Sequence, residues 1–206
     1  MKLNWWSDIV YTSHYCEENV YKTAEAFVSH VSNENSSQGY VVFISNKARL
    51  TPIWKQKLAE ENLPVVWDYH VIFLVKSISG SNESYVIDQD TKLGFPVSFG
   101  QYCDKSFPSD VVLEPIYRQN FRVIPAQVFL KRFASDRSHM IDHEETDRLR
   151  AIDSTAPMVY NAPVPVWPII HGSEATCAMN LDDFIGMEAT ESVGEVLTVE
   201  EFIAFA

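Results

Sequence analysis

The chain of 206 residues is short of several things, and each shortage narrows what it does. It has no run of about 18 apolar residues, so a membrane-spanning helix is not expected. Its first residues, Met1-Lys2-Leu3-Asn4-Trp5-Trp6-Ser7-Asp8, lack the long apolar stretch and cleavage site of a signal peptide. Cations are scarce: 16 Lys and Arg stand against 28 Asp and Glu, a formal net charge of −12. That balance disfavours nucleic acid and anionic membrane as partners, because both reward Lys and Arg. It favours amine-bearing substrates only weakly. Cysteine is scarce too, and Cys16, Cys103 and Cys177 are odd in number and far apart, so they offer neither a disulfide framework nor a CxxC metal pattern. Free thiols in a reducing, intracellular compartment are the expectation. The chain has no internal repeat and no low-complexity tract.

What is present is ample core material, 46% apolar and 13% aromatic residues, which suits one domain spanning 1–206. Val20, Ala24, Phe27 and Val31 recur as one apolar stripe and predict a helix that starts near Cys16, with Glu17 and Glu18 in its first turn. After a polar turn from Asn33 to Gly39, Tyr40 to Ser45 reads as a buried strand, and Pro52 to Leu58 as a brief helical turn. Val65 to Val75 reads as one long strand, closed by the turn cluster Ser77 to Glu83 and followed by a strand from Ser84 to Asp88, together a hairpin. A strand at Phe121 to Ile124, a helix from Pro125 to Phe133, and a last helix signalled by the Thr198 and Glu201 capping box complete the reading. Between them, about 141–174 reads as a loop-rich surface excursion, with Pro157, Pro163, Pro165 and Pro168 keeping Ala156 to Pro168 extended.

A thiol at a helix start faces backbone N–H groups and the positive end of the macrodipole, which stabilise a thiolate. Glu17 and Glu18 act in the opposite sense, so the net effect on Cys16 turns on a nearby cationic partner. A nucleophilic thiol needs a base, and the base needs a third group to orient it. Among six histidines, His30 is about 21 Å along the helix from Cys16 and too distant. His14 is close in sequence but lies in an irregular segment, and His139, His143 and His171 fall in the charged or loop-rich last third. His70 alone lies inside a confident strand. Alternation sets Val66, Asp68, His70 and Ile72 on one face of that strand and Trp67 and Tyr69 on the other. The hairpin brings a carboxylate to His70, and Asp88, Asp90 and Asp68 all qualify. The competing reading is plain: lone cysteines and strand histidines usually belong to the core, and Trp67 and Tyr69 fit there as well.

Several blocks carry a resemblance. Tyr11-Thr12-Ser13-His14-Tyr15-Cys16-Glu17-Glu18-Asn19, Val42-Phe43-Ile44-Ser45-Asn46, Pro52-Ile53-Trp54-Lys55-Gln56, Val66-Trp67-Asp68-Tyr69-His70-Val71, Asp88-Gln89-Asp90-Thr91, Phe121-Arg122-Val123-Ile124, Phe133-Ala134-Ser135-Asp136-Arg137-Ser138-His139-Met140 and Asn180-Leu181-Asp182-Asp183-Phe184-Ile185 stand in this order. Together they resemble the protein N-terminal glutamine amidohydrolases, across nearly the whole chain. The resemblance implies a papain- or transglutaminase-like α/β fold, with a mixed, mainly antiparallel sheet packed with helices. It implies Cys16 as nucleophile at a helix N-terminus, His70 as base and Asp88 as orienting carboxylate. It further implies a monomer without metal or cofactor, which deamidates N-terminal glutamine of proteins and peptides and feeds the cytosolic and nuclear degradation pathway that reads N-terminal residues. For the substrate, Glu18, Trp67 and Asp68 are the candidate contacts, Glu18 and Asp68 as acceptors for the α-ammonium. His14 departs from the family, which carries a second cysteine there, and this favours Cys16 as the reacting thiol.

Overall fold

The computed structural model describes residues 5–31, 37–78, 83–188 and 193–206. The apolar stripe forms helix α1, Cys16–Val31, in which Val20, Ala24 and Phe27 are buried; the side chain of Val31 lies outside those described. The chain continues as β1 (Ser37–Ser45), β2 (Thr51–Ile53), β3 (Val65–Trp67), β4 (His70–Ser77), β5 (Tyr85–Ile87) and β6 (Val97–Ser98). It proceeds through α2 (Phe99–Ser106), β7 (Asn120–Pro125), α3 (Ala126–Arg132), β8 (Ala134–Ser135), α4 (His143–Ile152) and β9 (Ile170–His171). It closes with α5 (Leu181–Ile185), β10 (Glu195–Thr198) and α6 (Val199–Phe205). The fold is mixed α/β, built on a six-stranded sheet ordered β10-β7-β1-β4-β5-β6 whose neighbours are antiparallel throughout. Among the described residues no helix is long and apolar enough to cross a membrane.

The two-residue period of the central strands explains why helices cover both sides. Val41 and Phe43 of β1 and Val71 and Phe73 of β4 join Val20, Ala24 and Phe27 of α1 and Phe129 and Phe184 in one core. Val42, Ile44, Ile72, Leu74 and Val86 face the other way, onto Phe99, Tyr102, Phe107 and Phe202. Gly39 allows the first of these contacts to be close: a Cβ there would lie 2.6 Å from the Phe27 ring and 2.7 Å from that of Phe73.

Several expectations need correction. Pro52 to Leu58 is not a helical turn: Thr51–Ile53 pairs with Val65–Trp67 as a small separate ribbon. The long strand from Val65 to Val75 is two strands, broken at Asp68 and Tyr69, because β3 pairs with β2 while β4 belongs to the main sheet. The break resets the alternation, and Trp67 comes to lie against His70, 5.0 Å between ring centroids and 19° from parallel, where unbroken alternation had set them on opposite faces. The stretch about 141–174 is less loop-rich than expected, since it contains the ten-residue α4, capped by Asp142 accepting the Glu145 N–H. The β4–β5 hairpin pairs Phe73 with Ile87, Leu74 with Val86 and Val75 with Tyr85. Residues 33–36 of the first polar turn and 79–82 of the hairpin turn lie outside the described residues. The final helix has both halves of its Thr198 and Glu201 capping box.

Candidate active site

Cys16 is the first residue of α1, and the helix itself fixes the chain that leads to it. The Asn19 side chain accepts the Thr12 N–H at 2.8 Å and donates to the Thr12 carbonyl at 2.8 Å. His14 adopts a left-handed backbone, φ 68°, at the bend into the helix. The sulfur that results meets the start of β4. The Val71 backbone N–H faces it and favours its ionised form, and Glu17 Oε2 lies 3.6 Å away. Burial, then the charges of Glu17 and Asp90, push the thiol well above its ordinary value, against the opposing effect of the Val71 N–H.

His70 begins β4, directly before Val71, and is fully buried. Its Nε2 lies 3.0 Å from Asp88 Oδ1. An ionised carboxylate only accepts, so Nε2 carries the proton and Nδ1 is left as the acceptor of a neutral ring. That Nδ1 is buried and, among the described residues, has no hydrogen-bond partner. Asp88 sits one residue past β5, and three other groups hold it: Gln56 Nε2 at 3.0 Å and the Tyr102 hydroxyl at 2.9 Å donate to Oδ2, and the Asp90 N–H donates to Oδ1 at 2.9 Å. These donors replace the water that burial removes. Burial alone disfavours both charges. The Asp88 charge and hydrogen bond nevertheless raise the His70 pKa, and the reciprocal His70 contacts, with Gln56 and the Asp90 N–H, lower that of Asp88.

Of the three carboxylates left open by strand pattern, Asp88 is the one that hydrogen-bonds His70. Asp90 accepts the Tyr11 hydroxyl at 2.6 Å, and Asp68 accepts the Tyr69 N–H. Donor atoms of His70, Asp88 and Asp90 lie within 4.8 Å of one another, the spacing of a metal set. With His70 Nε2 and both Asp88 oxygens already hydrogen-bonded to protein groups, the arrangement is that of an oriented imidazole and not of an open coordination site.

A cleft of about 480 Å³ opens over this region, lined by His14, Cys16, Trp67, Asp68, Asp90 and His139 among others. Trp67 offers a buried Nε1–H with no partner, and Asp68 is exposed at the cleft wall. Larger hollows of about 630 and 650 Å³ beside Arg122 and Phe107 have neither a cysteine nor a histidine in their linings. Glu18 does not line the cleft. Its oxygens accept Ser135 Oγ at 3.1 Å, Arg137 Nε at 3.0 Å, Arg137 Nη2 at 2.9 Å and Trp167 Nε1 at 2.8 Å, which commits the carboxylate to structure and leaves no lone pair for a ligand ammonium. Gln56 and Tyr102, which hold Asp88, were missed in the sequence. Gln56 closes the Pro52 to Gln56 block, whereas Tyr102 lies on α2, a helix with no strong local signal.

Known proteins share this sequence across its length. A family model described as N-terminal glutamine amidase matches residues 11–206. Proteins named protein N-terminal glutamine amidohydrolase are 42% identical in Danio rerio, over 94% of this chain and 87% of theirs. The Homo sapiens protein of that name is 40% identical over 94% of this chain and 85% of its own, and the Drosophila melanogaster one 39% over 96% and 88%. With a family model covering all but the first ten residues and relatives this similar at nearly full length, the chain belongs to the N-terminal glutamine amidase family.

Proposed function

We propose that the protein hydrolyses the side-chain amide of an N-terminal glutamine to glutamate, releasing ammonia, with Cys16 as nucleophile, His70 as general acid and base, and Asp88 as its orienting carboxylate. The observation that carries the reading is the His70 ring: Nε2 tied to Asp88 at 3.0 Å, Nδ1 buried without a partner among the described residues, and the backbone N–H of Val71, the next residue, facing the Cys16 sulfur. Family membership supports the substrate. A thiol at a helix start, packed on an antiparallel sheet that supplies histidine and then aspartate, also suits a papain- or transglutaminase-like ancestry and one catalytic domain spanning 1–206.

In this mechanism His70 Nδ1 takes the Cys16 proton, and the thiolate attacks the amide carbon of the glutamine side chain. The tetrahedral oxyanion is met by backbone donors, of which the Cys16 N–H at the helix start is one; losing such a donor typically costs about 10² to 10³ in rate. The imidazolium then protonates the departing nitrogen, which leaves as ammonia, and a thioester remains. Neutral His70 draws a proton from water, the water oxygen displaces the thiolate, and glutamate is released. Asp88 stabilises the imidazolium formed twice in the cycle and fixes the tautomer. The α-ammonium is read by carboxylates that line the cleft, Asp68 and Asp90, with Trp67 as an apolar wall. The enzyme acts as a monomer, without cofactor, on N-terminal Gln peptides and proteins in cytosol and nucleus. The experiment is mass analysis of Gln-, Asn- and Nα-acetyl-Gln-peptides after incubation. Loss of the amide at free N-terminal Gln alone is expected; chain cleavage makes the protein a protease, and no change makes it a binding module.

A further inference from the structure

The residue next to the candidate nucleophile is a fully buried carboxylate that the mechanism does not use. Glu17 Oε2 accepts the Tyr69 hydroxyl at 3.0 Å and stands 3.6 Å from the Cys16 sulfur. Its Oε1 is buried and has no hydrogen bond among the described residues. A negative charge so close opposes ionisation of the thiol, and a carboxylate so buried needs a counter-charge.

That counter-charge comes from a distant part of the chain. His139 Nε2 lies 3.4 Å from Glu17 Oε1, near enough for a charge contact although not aligned as a hydrogen bond. His139 is carried on the short turn Ser138–Met140, and its ring meets Tyr15 edge-on at 6.4 Å. The turn is fastened to the same first turn of α1. Arg137 precedes it in a left-handed conformation, φ 65°, grips both oxygens of Glu18, and donates to the carbonyls of Pro165, Trp167 and Pro168. Glu18 is thus the anchor that holds His139 over Glu17. Both glutamates that follow the thiol have a basic partner, and both partners come from one three-residue stretch.

We propose that His139 is a positioning residue of the reaction: as an imidazolium it neutralises Glu17, and by doing so it permits a thiolate at Cys16. The inference rests on the reading of Cys16 as the nucleophile. Each element around the sulfur contributes a charged or titratable group: Glu17 on α1, His70 at the start of β4 with Tyr69 just before it, Asp90 beyond β5, and His14 and Asp68 on the cleft wall. Of these, Glu17 is the carboxylate in direct contact with the sulfur. His139 is part-exposed and lines the cleft.

The test follows Cys16 itself and not turnover. The rate of iodoacetamide alkylation at the Cys16 peptide is measured by mass analysis across pH, with exposed Cys177 as internal reference. His139→Gln is expected to move the Cys16 midpoint to higher pH by about one unit, and Glu17→Gln to lower pH by about as much. In the Glu17→Gln background His139→Gln is expected to move nothing, since the charge it answered is gone. His139→Lys, which restores a fixed cation, is expected to keep the midpoint of the unmodified protein. An unmoved midpoint in His139→Gln, or the same movement with and without Glu17, overturns the proposal. If Cys16→Ala still releases ammonia from a Gln peptide while these midpoints shift as expected, it is the proposed function that fails and not the electrostatic inference.

Discussion

His70 and Asp88 meet at 3.0 Å with both side chains out of solvent, while the other nitrogen of the same ring has no hydrogen-bond partner among the described residues. A neutral core histidine commonly satisfies both nitrogens, so the asymmetry suits the base role proposed for His70. Asp88 orients the His70 ring through Nε2.

The pair makes a prediction about rate against pH. The rising limb of kcat/KM reports the first proton lost by the coupled Cys16 and His70 groups, and Asp88 raises the affinity of His70 for its proton. The limb is therefore expected above about 6.5, the unperturbed imidazole value. Asp88→Asn removes the charge that counters burial, so the limb should move to lower pH while the plateau falls by about 10² to 10⁴. A limb that stays in place as the plateau falls contradicts Asp88 as the source of the shift.

The same contacts tie stability to pH. His70 binds its proton more tightly in the folded protein, so its contribution is full below the unfolded value and is lost as pH rises through the raised folded one. Asp88 is shifted down, so its contribution is present above the unfolded carboxylate value and lost as pH falls through the lowered folded one. Thermal unfolding should show both losses, one on each side of a maximum, and Asp88→Asn should flatten both flanks. Equal pH dependence in the two proteins contradicts the linkage.

Much of the placement of these side chains was legible in the sequence, and where it was not the cause is physical. Cys16 announced itself because a helix stripe and an acidic first turn are local patterns, and His70 because β-branched and aromatic residues surround it. Alternation and hairpin pairing narrowed its partner to three carboxylates without choosing, since the choice depends on Gln56 and Tyr102, which reach Asp88 from elements remote in sequence. Trp67 was set on the wrong face because pairing with β2, a tertiary event, breaks the strand at Asp68. Helix α4 was absorbed into a proline-rich excursion although Asp142 and Glu145 carry a cap signal. The role of Glu18 was misread for the same reason: its partners Arg137 and Trp167 lie 119 and 149 positions away.

Glu18 and Arg137 give a stability prediction. Arg137→Met leaves a fully buried carboxylate without its counter-charge, which should cost about 3 to 5 kcal/mol in urea denaturation. Arg137→Met combined with Glu18→Met should recover most of that loss. A loss below about 0.5 kcal/mol in Arg137→Met would put the pair among exposed ion pairs, against its burial.

His14 lines the cleft and is two residues from Cys16, so it is the natural rival to His70. Its left-handed backbone belongs to the bend, and it has no tie to a carboxylate comparable to that between His70 and Asp88. His14→Ala should retain most ammonia release, whereas His70→Ala should abolish it. The reverse pattern moves the base to His14.

The central claim is that the Cys16 thiol attacks the side-chain amide of a free N-terminal glutamine. Trapping the reaction with a Gln peptide in acid, followed by mass analysis of the Cys16 peptide, tests it most directly. The account predicts a substrate adduct on Cys16, heavier by the peptide less ammonia, that is absent in His70→Ala and with Nα-acetyl-Gln peptide. Undiminished ammonia release by Cys16→Ala, with no adduct on Cys16 in the unmodified protein, contradicts it.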